Sequence, residues 1–258
     1  MAVTTKILRQ KKGKEPITML TAYDSTTARI LDEAGIDVIL VGDSVGNTML
    51  GFSSTVPVSI DMMVHHVSAV SRVVKNAFIL ADMPFLSVGV DMAADIRNAG
   101  KMLQGAGANG VKIEGHSDYL VELTKRLVSL GIPVVSHLGL TPQSVNEFGG
   151  YSMQAKTEAE QDKLVSNAIE LQNAGAFMIL VEVIPPEAAA KLTKELSVPL
   201  IGIGCKDPCD GQVLVINDIL GLNFEIRPKF AKVYADLKPL VEKAAKDYIR
   251  EVKSREFY

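Results

Sequence analysis

Five short apolar runs of the sequence each end in ionisable residues, and such residues are suited to acid–base and metal chemistry. The residues at these ends are Asp43, Asp82, Lys112 with Glu114, His137 and Glu182. Each one alone is a common helix cap or turn residue, but caps do not account for all five ends together. Charges gathered in one place cost desolvation free energy unless something offsets them. The pattern therefore indicates a polar functional site.

The first two of these acids suggest a metal ion. Asp43 and Asp82 follow consecutive apolar runs, and neighbouring strands of a sheet lie roughly 4.8 Å apart. Two ionised carboxylates that close repel each other unless a cation lies between them. Mg²⁺ needs only one or two protein carboxylates, because it keeps waters and takes substrate oxygens. We predict Mg²⁺ at Asp43 and Asp82, with Glu114 nearby; the four histidines lack the spacing of a zinc site.

The remaining charged residues fall into two environments. Lys112 and Glu114 are two apart on one run, so both side chains point to the same face. Lys112 either neutralises Glu114 or binds an anionic substrate carboxylate. Glu182 has no basic residue in its own segment, between Phe177 and Ala190. An acid in such a segment is suited to abstract a proton, and the alternative is a carboxylate that accepts backbone hydrogen bonds.

The runs that carry these residues are typical of strands buried on both faces, because they are almost continuously apolar. We predict eight strands: Ile17–Thr21, Val38–Val41, Ala77–Ala81, Gly110–Ile113, Val134–Ser136, Phe177–Val181, Pro199–Ile203 and Val213–Ile216. Amphipathic segments between them predict helices at Ser25–Ala34, Ile60–Lys75, Met92–Ala106, Tyr119–Ser129, Glu158–Ala174 and Pro186–Glu195. Asp24, Ser117 and Thr157 are expected to cap helices at the N-terminus, and Gly35, Gly131 and Gly175 to end them.

Eight strand–helix repeats in 258 residues give about 32 residues per repeat, the size of a βαβ unit. An α/β fold with a closed (β/α)8 barrel is therefore favoured, and a doubly wound open sheet is the alternative. No linker divides the chain, so we predict one domain over residues 1–258. A helix over Phe230–Glu251 extends it as a cap or an oligomer contact.

Composition excludes several classes of protein. Hydrophobic residues make up 47% and charged residues 22%, which is ordinary for a globular chain and not for a disordered one. A net charge of −3 gives no reason to expect nucleic acid or an anionic membrane as a partner. No apolar run approaches the ~18 residues of a membrane span. Two cysteines form no disulfide framework, and we predict a cytoplasmic protein.

Several segments together resemble one known family, ketopantoate hydroxymethyltransferase (3-methyl-2-oxobutanoate hydroxymethyltransferase). The similar segments are Val41-Gly42-Asp43-Ser44-Val45-Gly46-Asn47, Ala81-Asp82-Met83-Pro84-Phe85, Val111-Lys112-Ile113-Glu114-Gly115, His137-Leu138-Gly139-Leu140-Thr141-Pro142-Gln143-Ser144, Gly149-Gly150-Tyr151, Asp210-Gly211-Gln212-Val213-Leu214-Val215 and Arg227-Pro228-Lys229-Phe230. They occur in the family's order from about Thr18 to Leu237. The runs that begin at His137 and Asp210 are long enough to be specific.

The resemblance implies a barrel of the phosphoenolpyruvate/pyruvate type and a transferase. A hydroxymethyl group would pass from 5,10-methylenetetrahydrofolate to 3-methyl-2-oxobutanoate, giving 2-dehydropantoate in the first step of pantothenate biosynthesis. It also implies Mg²⁺ and a homo-oligomer, a decamer. Its metal ligands correspond to Asp43 and Asp82, with Glu114 nearby.

The resemblance also assigns roles toward the substrate. The 2-oxo acid would contact Ser44, Asp82 and Lys112, and we add Asp43 and His137 to this substrate-binding set. The glutamate that corresponds to Glu182 would be the base.

The chain departs from the family pattern at Cys205 and Lys206, where Ala-Gly is usual, at Asn217, where His is usual, and at Ser136. We expect the loop departures to affect the folate end of the site, and Cys205 and Cys209 to be inert loop residues.

Two other functions remain open at this point. The same metal and 2-oxo-acid site could serve a carbon–carbon lyase of the isocitrate lyase or phosphonopyruvate type, but the Lys-Cys-Gly-His run of such sequences does not occur here. A non-catalytic ligand-binding descendant is the other alternative. The presence of Asp43, Asp82 and Glu182 speaks against it.

Overall fold

Eight parallel strands form a closed barrel, in the order in which they occur along the chain. The computed structural model that shows them describes residues 2–206, 209–223 and 228–256. The strands are β1 (Ile17–Thr21), β2 (Val38–Val41), β3 (Phe78–Asp82), β4 (Gly110–Glu114), β5 (Val134–Gly139), β6 (Met178–Glu182), β7 (Leu200–Ile203) and β8 (Gly211–Leu214). The predicted (β/α)8 barrel is confirmed.

Helices alternate with most of the strands. They are α1 (Thr5–Lys11), α2 (Ser25–Glu33), α3 (Val45–Thr48), α4 (Ile60–Ser71), α5 (Met92–Gly100), α6 (Asp118–Ser129), α7 (Val145–Phe148), α8 (Glu158–Asn173), α9 (Pro186–Glu195), α10 (Ile216–Ile219) and α11 (Lys238–Ser254). A π-helical turn, Lys101–Gly105, continues α5, and a 3₁₀ turn, Pro142–Ser144, precedes α7. Across the described ranges, no helix is long and apolar enough to cross a membrane.

The chain divides into two compact units, Met1–Val213 and Leu214–Tyr258. The first contains the barrel strands up to Val213 and every predicted site residue. The second contains α10 and α11. Arg227, which belongs to one of the segments that resemble the family, lies outside the described residues.

The predicted helix ends are confirmed in their chemistry. Asp24, Ser117 and Thr157 each accept hydrogen bonds from backbone N–H groups of the first helical turn, which otherwise have no partner. Thr157 also forms a capping box with Glu160. The glycines after α2, α6 and α8 all have positive φ, as expected of left-handed C-terminal residues.

The C-terminal helix begins at Lys238, so the expected start at Phe230 is wrong. Before that point the backbone N–H groups of Tyr234 and Ala235 donate to the carbonyl of Ile219. Because these N–H groups bond to the last residue of α10, they do not form the hydrogen bonds of a helix between residues 230 and 237. Pro239 then stands in the first helical turn, where a missing N–H costs nothing.

Strand β8 lies two residues earlier than the predicted Val213–Ile216. Its position is set by the closure of the barrel against β1, where the N–H of Ile17 donates to the carbonyl of Asp210 at 2.8 Å. Gly211 lies so close to β1 that a Cβ would overlap the carbonyl oxygen of Ile17. Only glycine permits this approach, and the sequence pattern of apolar residues does not reveal it.

Side chains of the strands alternate between the barrel interior and the outer layer. Leu80 of β3 and Leu180 of β6 belong to one buried interior cluster with residues of most other strands. Asp82 and Glu182 lie two residues further along, so they share the inward face at the carboxyl ends. The lower barrel is therefore apolar, and the upper barrel carries the charges.

The close approach at Gly211 gives a test of the closure. Gly211→Ala should lower the free energy of unfolding by about 1–3 kcal/mol, because the added methyl group forces β8 away from β1. Urea denaturation measures this change. Gly100→Ala is the matched control, since a Cβ there meets no atom of the described residues within 4 Å, and it should be neutral or slightly stabilising. Equal stability losses in both variants would contradict the closure argument.

Candidate active site

The structure brings all the predicted site residues to the carboxyl-terminal mouth of the barrel. Asp82 ends β3, Lys112 and Glu114 belong to β4, and Glu182 ends β6. The others lie in β5 (His137) and just after β2 (Asp43 and Ser44). In barrels of this kind, functional residues occupy this face.

Lys112 is the centre of this cluster. Its Nζ lies 3.2 Å from Asp82 Oδ1, 3.0 Å from Glu114 Oε1 and 3.1 Å from His137 Nδ1. The side chain is only 4% exposed. Burial alone would lower the pKa of Lys112, but the carboxylates around it outweigh burial and raise its pKa above the ordinary value. Lys112 therefore remains a cation.

Asp43 and Asp82 form a close carboxylate pair. The backbone N–H of Asp43 donates to Asp82 Oδ2 at 2.9 Å. Burial, then Asp82 and Glu114, raise the pKa of Asp43 well above its ordinary value. The pKa of Asp82 is also raised by burial and by Glu114, although Lys112 opposes this. The negative charge at this pair is thus only partly compensated.

Asp82 retains a coordinating atom. Its Oδ1 is buried and, among the described residues, has Lys112 Nζ at 3.2 Å as an ion-pair partner but accepts no well-aligned hydrogen bond. The described part of the chain holds no group of three or more His, Cys, Asp or Glu arranged to bind a metal. Asp43 and Asp82 are a pair of carboxylates that could hold a divalent cation whose other ligands come from water or substrate.

Glu114 is held as a fully ionised group. Burial opposes its ionisation, but Lys112 and His137 outweigh burial and lower the pKa of Glu114 to about 2. The backbone N–H of Gln143 also donates to Glu114 Oε2 at 3.2 Å. A carboxylate stabilised in this way is a poor proton acceptor.

Glu182 lies apart from Lys112 and next to His137. Glu182 Oε2 is 3.4 Å from His137 Nε2, which is close enough for an ion pair but not aligned for a hydrogen bond. The Glu182 side chain is 16% exposed, compared with 4% for Glu114. The sequence segment around Glu182 does not reveal this neighbour, because the adjacent strand β5 supplies it.

His137 connects the two acids. Its Nδ1 is 3.1 Å from Glu114 Oε1 and its Nε2 faces Glu182. Burial and Lys112 oppose protonation of the ring, yet the carboxylates outweigh them, and the pKa of His137 is raised. Its tautomer decides whether Nδ1 accepts from Lys112 or donates to Glu114.

The backbone around Glu182 is strained and close-packed. Val183 has a φ of +46°, which is unfavourable for a β-branched residue. Its N–H donates to Ile203 O at 2.9 Å, and its carbonyl accepts from Gln154 N at 3.0 Å. On the other side, a Cβ at Gly139 would lie 2.5 Å from the carbonyl oxygen of Glu182. These contacts fix the position of the Glu182 backbone.

Tyr23 is a site residue that was not predicted from the sequence, and it contacts Ser44. The Tyr23 hydroxyl is 2.8 Å from Ser44 Oγ, and burial raises the pKa of Tyr23 to about 12. Tyr23 therefore remains a phenol. Its position two residues after β1 is the sequence signal that points to the same mouth of the barrel.

Gln143 is a second residue whose role was missed, although it lies in a segment that resembles the family. Its side-chain amide Nε2 donates to Asp43 Oδ2 at 2.8 Å and to the carbonyl of Met83 at 2.9 Å. With its backbone N–H on Glu114, Gln143 links two acids across the mouth.

The family of the chain follows from comparison with known proteins. Residues 2–258 match the family model described as ketopantoate hydroxymethyltransferase. The chain belongs to the ketopantoate hydroxymethyltransferase family. A protein of Thermotoga maritima named 3-methyl-2-oxobutanoate hydroxymethyltransferase is 52% identical over 246 residues, covering 95% of this chain and 90% of its own. A protein of the same name from Syntrophus aciditrophicus is 48% identical, covering 99% and 94%. The resemblance inferred from sequence is confirmed.

Solved structures support the barrel type. A 2,3-dimethylmalate lyase, described as a member of the PEP mutase/isocitrate lyase superfamily, superposes with a TM-score of 0.64 at 15% identity, covering 98% of this chain and 89% of that one. A phosphoenolpyruvate phosphomutase from Streptomyces platensis subsp. rosaceus has the same TM-score at 12% identity, covering 97% and 88%. Likeness at such identity shows the fold alone, so the lyase alternative gains no support.

Gln143 provides a test of how the carboxylates are held. Gln143→Ala removes the amide donor that favours the ionised form of Asp43, and a hydrogen bond to a charged group contributes about 1.5–3 kcal/mol. We expect Mg²⁺ to bind roughly tenfold or more weakly, as titration calorimetry would measure. Gln154→Ala is the control, because among the described residues its side-chain amide bonds only to Ser152. Unaltered Mg²⁺ affinity in Gln143→Ala would show that this amide does not hold Asp43.

Proposed function

We propose that the chain transfers a hydroxymethyl group from 5,10-methylenetetrahydrofolate to 3-methyl-2-oxobutanoate, giving 2-dehydropantoate. Family membership and the names of its relatives support this reaction. The observation that carries the chemistry is the separation of roles at the barrel mouth. One set of acids surrounds Lys112, whereas Glu182 stands apart with a more exposed carboxylate.

Asp43 and Asp82 are the proposed Mg²⁺ ligands, with Glu114 close by. The residues fit this ion because the two carboxylates are buried and repel each other, and because Asp82 Oδ1 accepts no well-aligned hydrogen bond from the described residues. Mg²⁺ bound there would supply Lewis acidity that stabilises negative charge on the keto oxygen of the substrate.

The 2-oxo acid is proposed to bind beside this pair. Lys112 stays protonated and places a positive charge where the substrate carboxylate would lie. Ser44 lies at the same mouth, and with Tyr23 as the donor in their 2.8 Å contact, the Ser44 hydroxyl is left to donate toward a substrate oxygen. His137 completes the wall between Lys112 and Glu182.

Glu182 is the proposed base that removes the proton from C3 of the 2-oxo acid. Glu114 is unsuited to this step, since the pKa of about 2 makes it a weak acceptor. After Glu182 has taken the C3 proton, the polar ring of His137 lies 3.4 Å from the protonated carboxyl group. The strained Val183 and the close-packed Gly139 keep the Glu182 backbone fixed relative to the substrate.

A second substrate needs room beside this site. A cleft of about 580 Å³ adjoins the loop after β5 and is bordered by Gly139, Thr141, Phe148 and Lys163. Its lining combines the Phe148 ring and the Lys163 ammonium group with the carboxylates of Glu147 and Glu160. Phe148 could stack on the aromatic ring system of the folate donor, and we infer that this part of the donor lies there.

Three further expectations stay proposals. The family resemblance implies a homo-oligomer, namely a decamer. The cysteine usage favours a cytoplasmic location, and the absence of a linker favours a single barrel domain with a C-terminal helical extension over residues 1–258.

The base assignment is tested by two matched variants. Glu182→Gln keeps the shape of the side chain but accepts no proton, so turnover and C3 deuterium exchange of 3-methyl-2-oxobutanoate in D₂O should both slow by at least about a hundredfold. Binding of Mg²⁺ and of the 2-oxo acid should stay nearly normal. Proton NMR follows the exchange without folate.

Glu114→Gln is the comparison. This variant lacks the negative charge of Glu114 that pairs with Lys112. Binding of Mg²⁺ or of the 2-oxo acid should therefore weaken more than the proton transfer from C3 slows. If Glu182→Gln exchanges deuterium at the wild-type rate while Glu114→Gln does not, the two roles are reversed and the proposed mechanism is wrong.

A further inference from the structure

The two cysteines of the chain lie side by side beyond strand β7. The Sγ atoms of Cys205 and Cys209 are 4.0 Å apart, and neither is in a disulfide. Since a disulfide bond is about 2.05 Å long, a relative shift of about 2 Å would join them. The sequence predicts two inert loop residues, but their spacing in the sequence does not show that the two sulfur atoms lie this close.

Strand β7 provides the niche in which the two thiols meet. A Cβ at Gly202 would lie 2.7 Å from Cys205 Sγ and 2.8 Å from Cys209 Sγ. Such distances are too short for real contacts, so any side chain at this position would displace one or both sulfur atoms. The absence of a side chain at Gly202 therefore allows both sulfurs to converge on one point.

The two thiols differ in exposure. Cys205 is 3% exposed, whereas Cys209 is partly exposed. The hydrogen bond with Cys209 lowers the pKa of the Cys205 thiol, although burial and the charge of Glu182 oppose this. Of the two residues, Cys209 is therefore the better placed to meet a reagent in solution, and the buried Cys205 beside it has increased thiolate character.

We propose that Cys209 and Cys205 form a reversible intramolecular disulfide when the chain meets a low-molecular-weight disulfide, RSSR. The Cys209 thiolate attacks one sulfur of RSSR, forms a mixed disulfide and expels RS⁻. The Cys205 thiolate then attacks Cys209 Sγ, breaks the mixed disulfide and expels the second RS⁻. The two protein thiols give up two electrons and two protons, and RSSR leaves as two RSH molecules.

This pair is coupled to the strand that carries Glu182. The Cys205 thiol donates to the carbonyl oxygen of Val181 at 3.7 Å, directly before Glu182. In the disulfide form Cys205 has no S–H, so the carbonyl of Val181 loses this hydrogen-bond donor. The shift of Cys205 Sγ toward Cys209 also moves the end of β7. Ile203 of β7 accepts the N–H of Val183, which links that movement to the backbone after Glu182.

Mass spectrometry of the full chain tests the disulfide. Wild-type protein treated with 2-hydroxyethyl disulfide should lose two hydrogen atoms, stay a single chain on a non-reducing gel, and regain the mass with dithiothreitol. Because the chain has two cysteines, no other intramolecular pairing is available. Two stable adducts, a disulfide between chains, or an unmodified mass would each overturn the proposal.

Matched variants test the order of attack. Cys205→Ser leaves the accessible thiol without its partner, so one mercaptoethanol adduct should accumulate. Cys209→Ser leaves only the buried thiol, which should react much more slowly than the wild-type pair. An adduct that accumulates faster on Cys209→Ser than on Cys205→Ser would contradict the assigned order. The wild-type mass measurement stands even if a variant fails to fold.

The coupling has its own test, which rests on the proposed function. We expect the disulfide form to exchange the C3 proton of 3-methyl-2-oxobutanoate roughly tenfold more slowly, within the cost of misplacing a reacting group by about 1 Å. Dithiothreitol should restore the rate, and Cys209→Ser should be insensitive to the oxidant. An unchanged rate in fully oxidised protein would overturn the coupling. Absence of exchange in the reduced protein would instead refute the proposed function.

Discussion

The barrel mouth depends on the charges around Lys112, a buried ammonium group. The buried carboxylates of Asp43, Asp82 and Glu114 surround it, and their combined negative charge exceeds its own. Lys112 contacts Asp82 and Glu114 directly, and its charge lowers the pKa of Glu114. Asp43 receives an amide donor from Gln143, and its pKa is raised. Lys112 and His137 together stabilise the Glu114 carboxylate, whereas at Asp43 burial and the neighbouring acids outweigh Lys112, so ionised Asp43 costs free energy that these cations do not offset. A divalent cation at Asp43 and Asp82 is the compensation that we propose.

The fold can carry this cost because the rest of the barrel is apolar and tightly closed. Side chains below the mouth, such as Leu80 and Leu180, form a continuous buried cluster that includes Leu8 of α1. Hydrophobic burial contributes roughly 25 cal/mol per Å² and offsets charges concentrated at one end. The same alternation that produces this core places Asp82 and Glu182 above it, so stability and site geometry arise from one pattern.

Much of this arrangement is visible in the sequence, because buried parallel strands are continuous apolar runs that end in polar residues. Strands β1 and β2 have the predicted bounds. The start of α11 and the position of β8 were mispredicted, since contacts distant in sequence set both. The contact of His137 with Glu182 and the Gln143 bridge were missed because they depend on strand register and loop path.

We propose that the buried carboxylate of Asp43 destabilises the fold until a divalent cation binds there. The most direct test is the unfolding temperature of Asp43→Asn with and without Mg²⁺. The raised pKa means that folding disfavours the ionised form, so at neutral pH and without Mg²⁺ the variant should unfold at a higher temperature than wild type. Added Mg²⁺ should stabilise wild type and reverse this order. A wild type that Mg²⁺ fails to stabilise, or a variant that is less stable without Mg²⁺, would contradict the account.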